Sequence, residues 1–319
     1  MTCSGEGSSG GLSLPASLCC MGSGPICSMI GAENSWGISV FLSKFNRLRL
    51  RRSGGVMHGG LKAKIYHRDE MTEEKQNRLK SDPSPVDILI FGAHPDDVEW
   101  GAGGTLLKLR AAGTSFGIVD LTQGEMGSRG TSEERAKEAE IAATWMGARF
   151  RENLCLPDCG VIDSVENRKK IASAIRRWRP KMVLAPYWED RHPDHAATGH
   201  LIRNAAIYCT LKKSNDPNPP HKPSAYLYYL LHHFTHPGMV VDISDVYQPK
   251  LELLRMHASQ FSNTAEGFGV LPLGMNDYLF GMESRDRFFG SLIGVHHGEA
   301  FVSEVPLKLG SISDLPSLR

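Results

Sequence analysis

The 319-residue sequence predicts an α/β protein, a Rossmann-like three-layer sandwich with a mostly parallel sheet, and three observations carry that expectation. Short apolar runs rich in β-branched residues recur along the chain, helical patterns of about 12 residues separate them, and the joining loops are short and polar. Strands alternating with helices in this way pair in parallel through right-handed crossovers.

The elements follow in order. Val86-Asp87-Ile88-Leu89-Ile90-Phe91, ahead of Gly92-Ala93, reads as a buried first strand. Gly101 to Ala112 carries Leu106, Leu107 and Leu109 at helical spacing, and Gly113 supplies a stop. Ser115 to Leu121 is the second strand, Ser132 to Met146 a helix opened by acidic residues, and Arg149 to Leu154 the third strand. Ser164 to Trp178 is a helix ending before Pro180, and Met182 to Ala185 is a fourth strand cut off by Pro186. A helix is expected from the His192 region to about Leu211, then a loop at Asn215 to Pro220. Ala225 to Leu231 and Met239 to Ile243 read as strands, and Val246 to Ala258 and Asn276 to Phe289 as helices.

Composition excludes several classes of function. Of 36 Lys and Arg and 35 Asp and Glu, eight basic and two acidic residues lie in 1–68, which leaves 28 basic and 33 acidic residues in 69–319. A mildly acidic body does not steer nucleic acid or an anionic membrane toward itself. No apolar run approaches the ~20 residues that span a bilayer. Four of the seven cysteines (Cys3, Cys19, Cys20, Cys27) fall among Gly and Ser near the start, and Cys155, Cys159 and Cys209 form an odd set without a disulfide pattern, which fits a reducing compartment. Cys155 and Cys159 have C-x₃-C spacing, but no second Cys or His pair stands nearby to complete a structural zinc site.

Residues 1–80 are expected to form a disordered or transit-like extension or to follow from an over-extended start, 81–305 the working domain, and 306–319 a tail. The expected location is the cytoplasm, or an organelle if 1–68 is a transit segment.

Ligands of open α/β sheets bind beyond the carboxyl ends of the strands, so the polar loops there should converge. The loop after strand one reads Ala93-His94-Pro95-Asp96-Asp97-Val98-Glu99, and the loop after strand four reads Asp190-Arg191-His192-Pro193-Asp194-His195. Imidazole and carboxylate suit Zn²⁺, which in catalytic sites takes three protein ligands and keeps a position for water. His94 and Asp97 are three apart, and one histidine of the second loop would complete the set. Asp96 then remains free as a base, and the spare histidine, oriented by a carboxylate such as Asp194, is a candidate acid. Such a constellation suits amide hydrolysis. The rival reading is dinucleotide binding at Gly101-Ala102-Gly103-Gly104, with Asp120 ending strand two. The spacing is G-x-G-G, and Asp96, Asp97 and Glu99 would repel a pyrophosphate at that helix start.

At these residues the sequence resembles the LmbE-like zinc N-deacetylases of N-acetylglucosaminyl substrates, with its nearest likeness in the N-acetyl-α-D-glucosaminyl L-malate deacetylases of bacillithiol biosynthesis. Leu121 to Thr131, Pro186 to Arg191, His257 to Phe261 and Ile293 to Phe301 support the resemblance, which spans about 86–301. It implies one zinc per chain on His94, Asp97 and His195, replaceable by other divalent metals. It further implies Asp96 as general base and His192 as acid or oxyanion partner held by Asp194. A small amino-sugar conjugate is the implied partner, with inositol-linked glucosaminides or chitooligosaccharides as alternatives to the malate, and homo-oligomers are implied by the family. Arg129, Arg191 and Glu125 are expected to bind substrate, the arginines because a guanidinium fork matches a carboxylate. His232, His233 and His236 read as surface or edge histidines.

Overall fold

A computed structural model describes residues 84–261 and 275–306. The expectations for 1–80 and for the tail beyond residue 306 therefore lie outside the described residues.

Seven strands form one sheet in the order β3-β2-β1-β4-β5-β7-β6. β1 (Ile88–Gly92) lies centrally, parallel to β2 (Phe116–Asp120) and β4 (Met182–Pro186), with β3 (Arg151–Asn153) and β5 (Ala225–Tyr229) continuing the parallel set on either side. Every residue of β1 is buried, as a strand covered on both faces requires. β7 (Gly298–Val302) runs antiparallel to both β5 and β6 (Met239–Asp242), so the sheet is mostly parallel.

Two helices, α3 (Val165–Trp178) and α4 (Pro193–Tyr208), cover one face, packing Ile171, Ile175, Trp178, Leu201 and Ile202 against Leu89, Phe91 and Val183. On the other face α1 (Asp97–Ala111), α2 (Ser132–Met146) and α5 (Tyr247–Arg255) bring Val98, Leu106, Ala142, Met146 and Leu253 against Ile88, Ile90 and Ile118. The short α6 (Ala258–Phe261) follows α5, and α7 (Met275–Leu292) packs beside β7. The alternation of strand pleat and helix stripe thus yields the three layers the sequence predicts. Among the described residues no helix is long and apolar enough to cross a membrane.

Two elements differ from expectation. α1 begins at Asp97, not at Gly101, because the glycine run is helix interior in close contact with its neighbours, Gly101 with β5, Gly103 with Leu253 of α5 and Gly104 with Ile243. A Cβ at Gly101 would stand 2.2 Å from the Tyr229 ring. In sequence the run reads as a start signal because glycine disfavours an exposed helix, whereas here it permits close approach. β7 is not evident in the sequence, since Gly298 to Val302 offers only three apolar residues around a charged one. That charge, Glu299, is buried, accepting from the Gly104 and Thr105 amides at 2.9 and 2.7 Å and pairing with Lys250 at 2.8 Å.

The amino ends of the central strands are tied by Asp87. Its carboxylate accepts from Lys181 Nζ at 2.7 Å and from the Ser115 amide and hydroxyl at 2.9 and 2.7 Å, joining β1 to the starts of β4 and β2. Lys181 and then Ser115 hold this carboxyl well below the usual carboxylate range. A carboxyl depressed on folding stabilises fully above its unfolded value of about 4 and loses that contribution as pH falls further. Asp87→Asn should lower the melting temperature at pH 7 by roughly 2–4 °C, since a part-exposed pair is worth about 1 kcal/mol. The gap from wild type should narrow progressively as pH falls below about 4. An equal gap at pH 7 and pH 3 contradicts the charge assignment.

Candidate active site

The parallel strands release their chains at one edge, and the loops after β1, β2, β3, β4 and β5 meet there. Asp97 opens α1, where the helix dipole favours a carboxylate. Its Oδ1 lies 3.1 Å from His195 Nε2 and its Oδ2 3.4 Å from His94 Nδ1, while Oδ2 also accepts from the His94 amide at 2.9 Å. His94, Asp97 and His195 are all buried. One nitrogen each of His94, His192 and His195 fall within 4.8 Å of one another, so His192 stands beside the same space.

Each of the two buried imidazoles is gripped from behind. Asp190 Oδ1 lies 3.1 Å from His195 Nδ1, which leaves Nε2 for Asp97. Asp158 Oδ1 and Asp194 Oδ2 lie 3.0 and 3.4 Å from His94 Nε2, leaving Nδ1 for Asp97. Burial works against charge on both rings, but the carboxylates prevail. Asp158, Asp194 and Asp97 raise His94 to about 12, and Asp97 with Asp190 raises His195 to about 9. Burial likewise opposes the Asp97 charge, and His195 and His94 hold it well below the usual carboxylate range. Four carboxylates around two imidazoles thus create a strong local demand for positive charge. A divalent cation meets that demand, and two buried histidines with a buried carboxylate between them form a donor set that fits it.

The predicted residues are placed as follows. Asp96 is half-buried next to Asp97, and burial raises its carboxyl to about 6 against the pull of Arg135. His192 caps α4, its Nδ1 accepting the Asp194 amide at 3.3 Å, so a neutral ring carries its proton on Nε2. Burial, then His195 and His94, lowers this imidazole, which favours its neutral form. Asp194 does not hold His192 through its carboxylate. That group accepts the Cys159 amide at 2.7 Å and the Val161 amide at 3.3 Å and faces His94. The reason is local: the turn that starts α4 aims the Asp194 backbone at His192 and its side chain at the loop after β3.

The residues expected to bind substrate are distributed differently. Glu125 accepts the Asp158 amide at 2.9 Å and the Gln123 amide at 3.2 Å, bracing the loop that carries Asp158. Arg129 Nη1 donates to the Gln260 carbonyl at 3.1 Å, which occupies part of its fork. Arg191 is exposed and has no ion-pair partner among the described residues. Cys155 and Cys159 are exposed thiols, and neither joins a group of potential metal ligands among the described residues.

Sequence reading misses Asp158, Asp190 and His232. His232 is half-buried and stacks on His195 with ring centroids 5.4 Å apart, contrary to the surface expectation. His233 does lie nearer the rim, 3.5 Å from Glu189, and His236 is exposed. Pro237 close by signals an edge, but the turn after β5 folds His232 inward, where Asp190 Oδ2 accepts its amide at 2.9 Å. Asp190 stands in the second His/Asp loop, and a carboxylate five residues before His195 is the signal that could have found it.

Beneath the site lies a buried charge cluster. Arg151 donates to both oxygens of Asp120, at 2.6 and 2.9 Å, and to Glu99 at 2.5 Å, with His257 Nε2 3.2 Å from the same Glu99 oxygen. Asp120 is therefore consumed by an arginine and is not presented to a ribose, which removes the dinucleotide reading. Burial opposes the Glu99 charge, yet Arg151 and His257 lower it to about 2. Arg151→Met would leave Asp120 buried without its cation and Glu99 with His257 alone, and should cost about 3–5 kcal/mol in urea unfolding. A loss below about 1 kcal/mol would show that the cluster is not essential to the fold.

Residues 89–206 match the family described as PIG-L, GlcNAc-PI de-N-acetylase. The diacetylchitobiose deacetylase of Thermococcus kodakarensis is 33% identical over 189 residues, 54% of this chain and 70% of that protein. The probable N-acetyl-alpha-D-glucosaminyl L-malate deacetylase 2 of Bacillus anthracis is 27% identical over 192 residues, 55% of this chain and 81% of that protein. Among solved structures, a conserved protein of Thermus thermophilus is similar with a TM-score of 0.64 and 37% identity, covering 71% of this chain and 98% of the other.

Proposed function

The chain belongs to the PIG-L, GlcNAc-PI de-N-acetylase family, and on that basis we propose that it is a metal-dependent hydrolase that removes the acetyl group from an N-acetylglucosaminide. The observation that carries this reading is the position of Asp97 between His94 and His195, with Asp96 and His192 alongside. His94, Asp97 and His195 would hold a zinc ion, or another divalent metal because no thiolate imposes selectivity. When bound, the cation polarises the acetamide carbonyl and lowers the pKa of water toward ~7.

The chain's own residues supply the remainder. Asp96 takes the proton from the attacking water, whose oxygen bonds to the acetamide carbon. Neutral His192 donates its Nε2 proton as a hydrogen bond to the developing oxyanion. Asp96 then passes the proton to the departing nitrogen as the C–N bond breaks, giving acetate and a free amine. Asp158, Asp194 and Asp190 fix the ring orientation of the two ligand histidines.

Asp97→Ala should abolish tight metal binding, whereas Asp96→Asn should keep the metal and lower turnover by roughly 10²–10⁴-fold. Metal analysis and acetate release on both variants check this, and equal metal content in the two variants rejects the ligand assignment.

For the aglycone we assign a second, uncharged sugar unit, as named for the Thermococcus relative. Arg129 being engaged by Gln260 supports this, because it leaves Arg191 as the one exposed, unpaired arginine of the expected pair. A malyl aglycone is the second reading, and Arg191 is the observation that favours it. Diacetylchitobiose should be deacetylated with a higher kcat/KM than the malyl glucosaminide. Arg191→Ala should raise KM for the malyl compound alone. Higher efficiency on the malyl compound, lost in Arg191→Ala, replaces the first reading by the second.

A further inference from the structure

Asp96 has a backbone that L residues rarely adopt, φ 116° and ψ −23°, and its side chain caps no amide of α1. A non-glycine residue in that region costs of order 1–3 kcal/mol and persists only when its surroundings over-determine it. Arg135, on the first turn of α2, supplies the constraint. Its Nη2 donates to the carbonyl of Pro95, the residue before Asp96, at 2.9 Å, and its Nη1 donates to the Gly124 carbonyl in the loop after β2, also at 2.9 Å. The same Nη2 lies 3.6 Å from Asp96 Oδ2, and the arginine is buried. Its Nε has no hydrogen-bond partner among the described residues. Gly124, at φ +68°, is shaped around this side chain: a Cβ there would stand 1.9 Å from Nη1 and 2.3 Å from Cζ.

We propose that Arg135 is the positioning residue of Asp96, clamping the Pro95 and Gly124 carbonyls so that the Asp96 carboxylate is held toward the reacting water with its oxygens free to accept the proton. The inference rests on the reading of Asp96 as base. Anchored on two carbonyls, the guanidinium stands beside the carboxylate without occupying its lone pairs. A cation that bonded Asp96 directly would weaken it as an acceptor, and a solvent-exposed one would not fix the strained turn.

The test uses the full chain loaded with zinc and an N-acetylglucosaminide as substrate. Arg135→Met should lower kcat by about 10–100-fold while KM and zinc content change less than about twofold. Gly124→Ala, which pushes the guanidinium aside and leaves its charge, should lower kcat in the same way. The double variant should be no slower than Arg135→Met, because both changes remove one interaction. Arg135→Lys, which keeps a cation but cannot span both carbonyls, should fall between. Wild-type kcat in Arg135→Met, or losses that multiply in the double variant, overturn the proposal. If Arg135→Met does not fold, wild-type kcat in Gly124→Ala overturns it alone. Near-normal turnover in Asp96→Asn instead overturns the base reading, so the two failures are distinguishable.

Discussion

The arrangement of the site depends on one carboxylate shared between two imidazoles. Asp97 faces His195 with one oxygen and His94 with the other, and those histidines come from loops about a hundred residues apart in sequence. Nothing local brings them together. The parallel pairing of β1 with β4, in register from Ile88 opposite Met182 to Ile90 opposite Leu184, delivers both loops to the same edge. Apolar burial in two layers fixes the sheet, and the sheet fixes the distance between the loops. The cost of concentrating acid at that edge is offset by imidazoles and by Arg135 and Arg151, each of which approaches a carboxylate from within the fold.

The layer below the site explains why α1 can begin as early as it does. Close contact of Gly101 with Tyr229, and the Glu299 carboxylate on the Gly104 and Thr105 amides, hold the helix hard against the sheet. Its first turn then projects Asp97 over the strand ends. The rare backbone at Asp96 is the point at which a straight strand, a proline and an early helix start must be reconciled, and such strain gathers at functional sites.

The parallel half of the sheet is legible in the sequence, because Ile88 to Phe91 and Met182 to Ala185 are apolar runs of strand length bounded by turn signals. The capping box at Thr131 and Glu134 sets the start of α2 where the acidic residues suggest it. The His/Asp loops are legible as a pair because both follow such strands. The rest needs tertiary information. Glu299 hides a strand because its charge is neutralised by Lys250 and two amides distant in sequence. His232 looks like a surface residue because its burial comes from stacking on His195. Asp158 gives no signal, since its role is defined by contact with His94 from a loop that otherwise reads as an ordinary turn.

In the proposed metal centre Asp97 joins two histidines, His94 and His195, and His192 stays outside the coordination shell. Zinc K-edge X-ray absorption on the zinc-loaded full chain tests it most directly. The account predicts a first shell of nitrogen and oxygen only, with imidazole scattering from two histidines that is unchanged in His192→Ala and reduced to one in His195→Ala. Three imidazoles in the wild type with one lost in His192→Ala, or a sulfur shell from a cysteine, would contradict it.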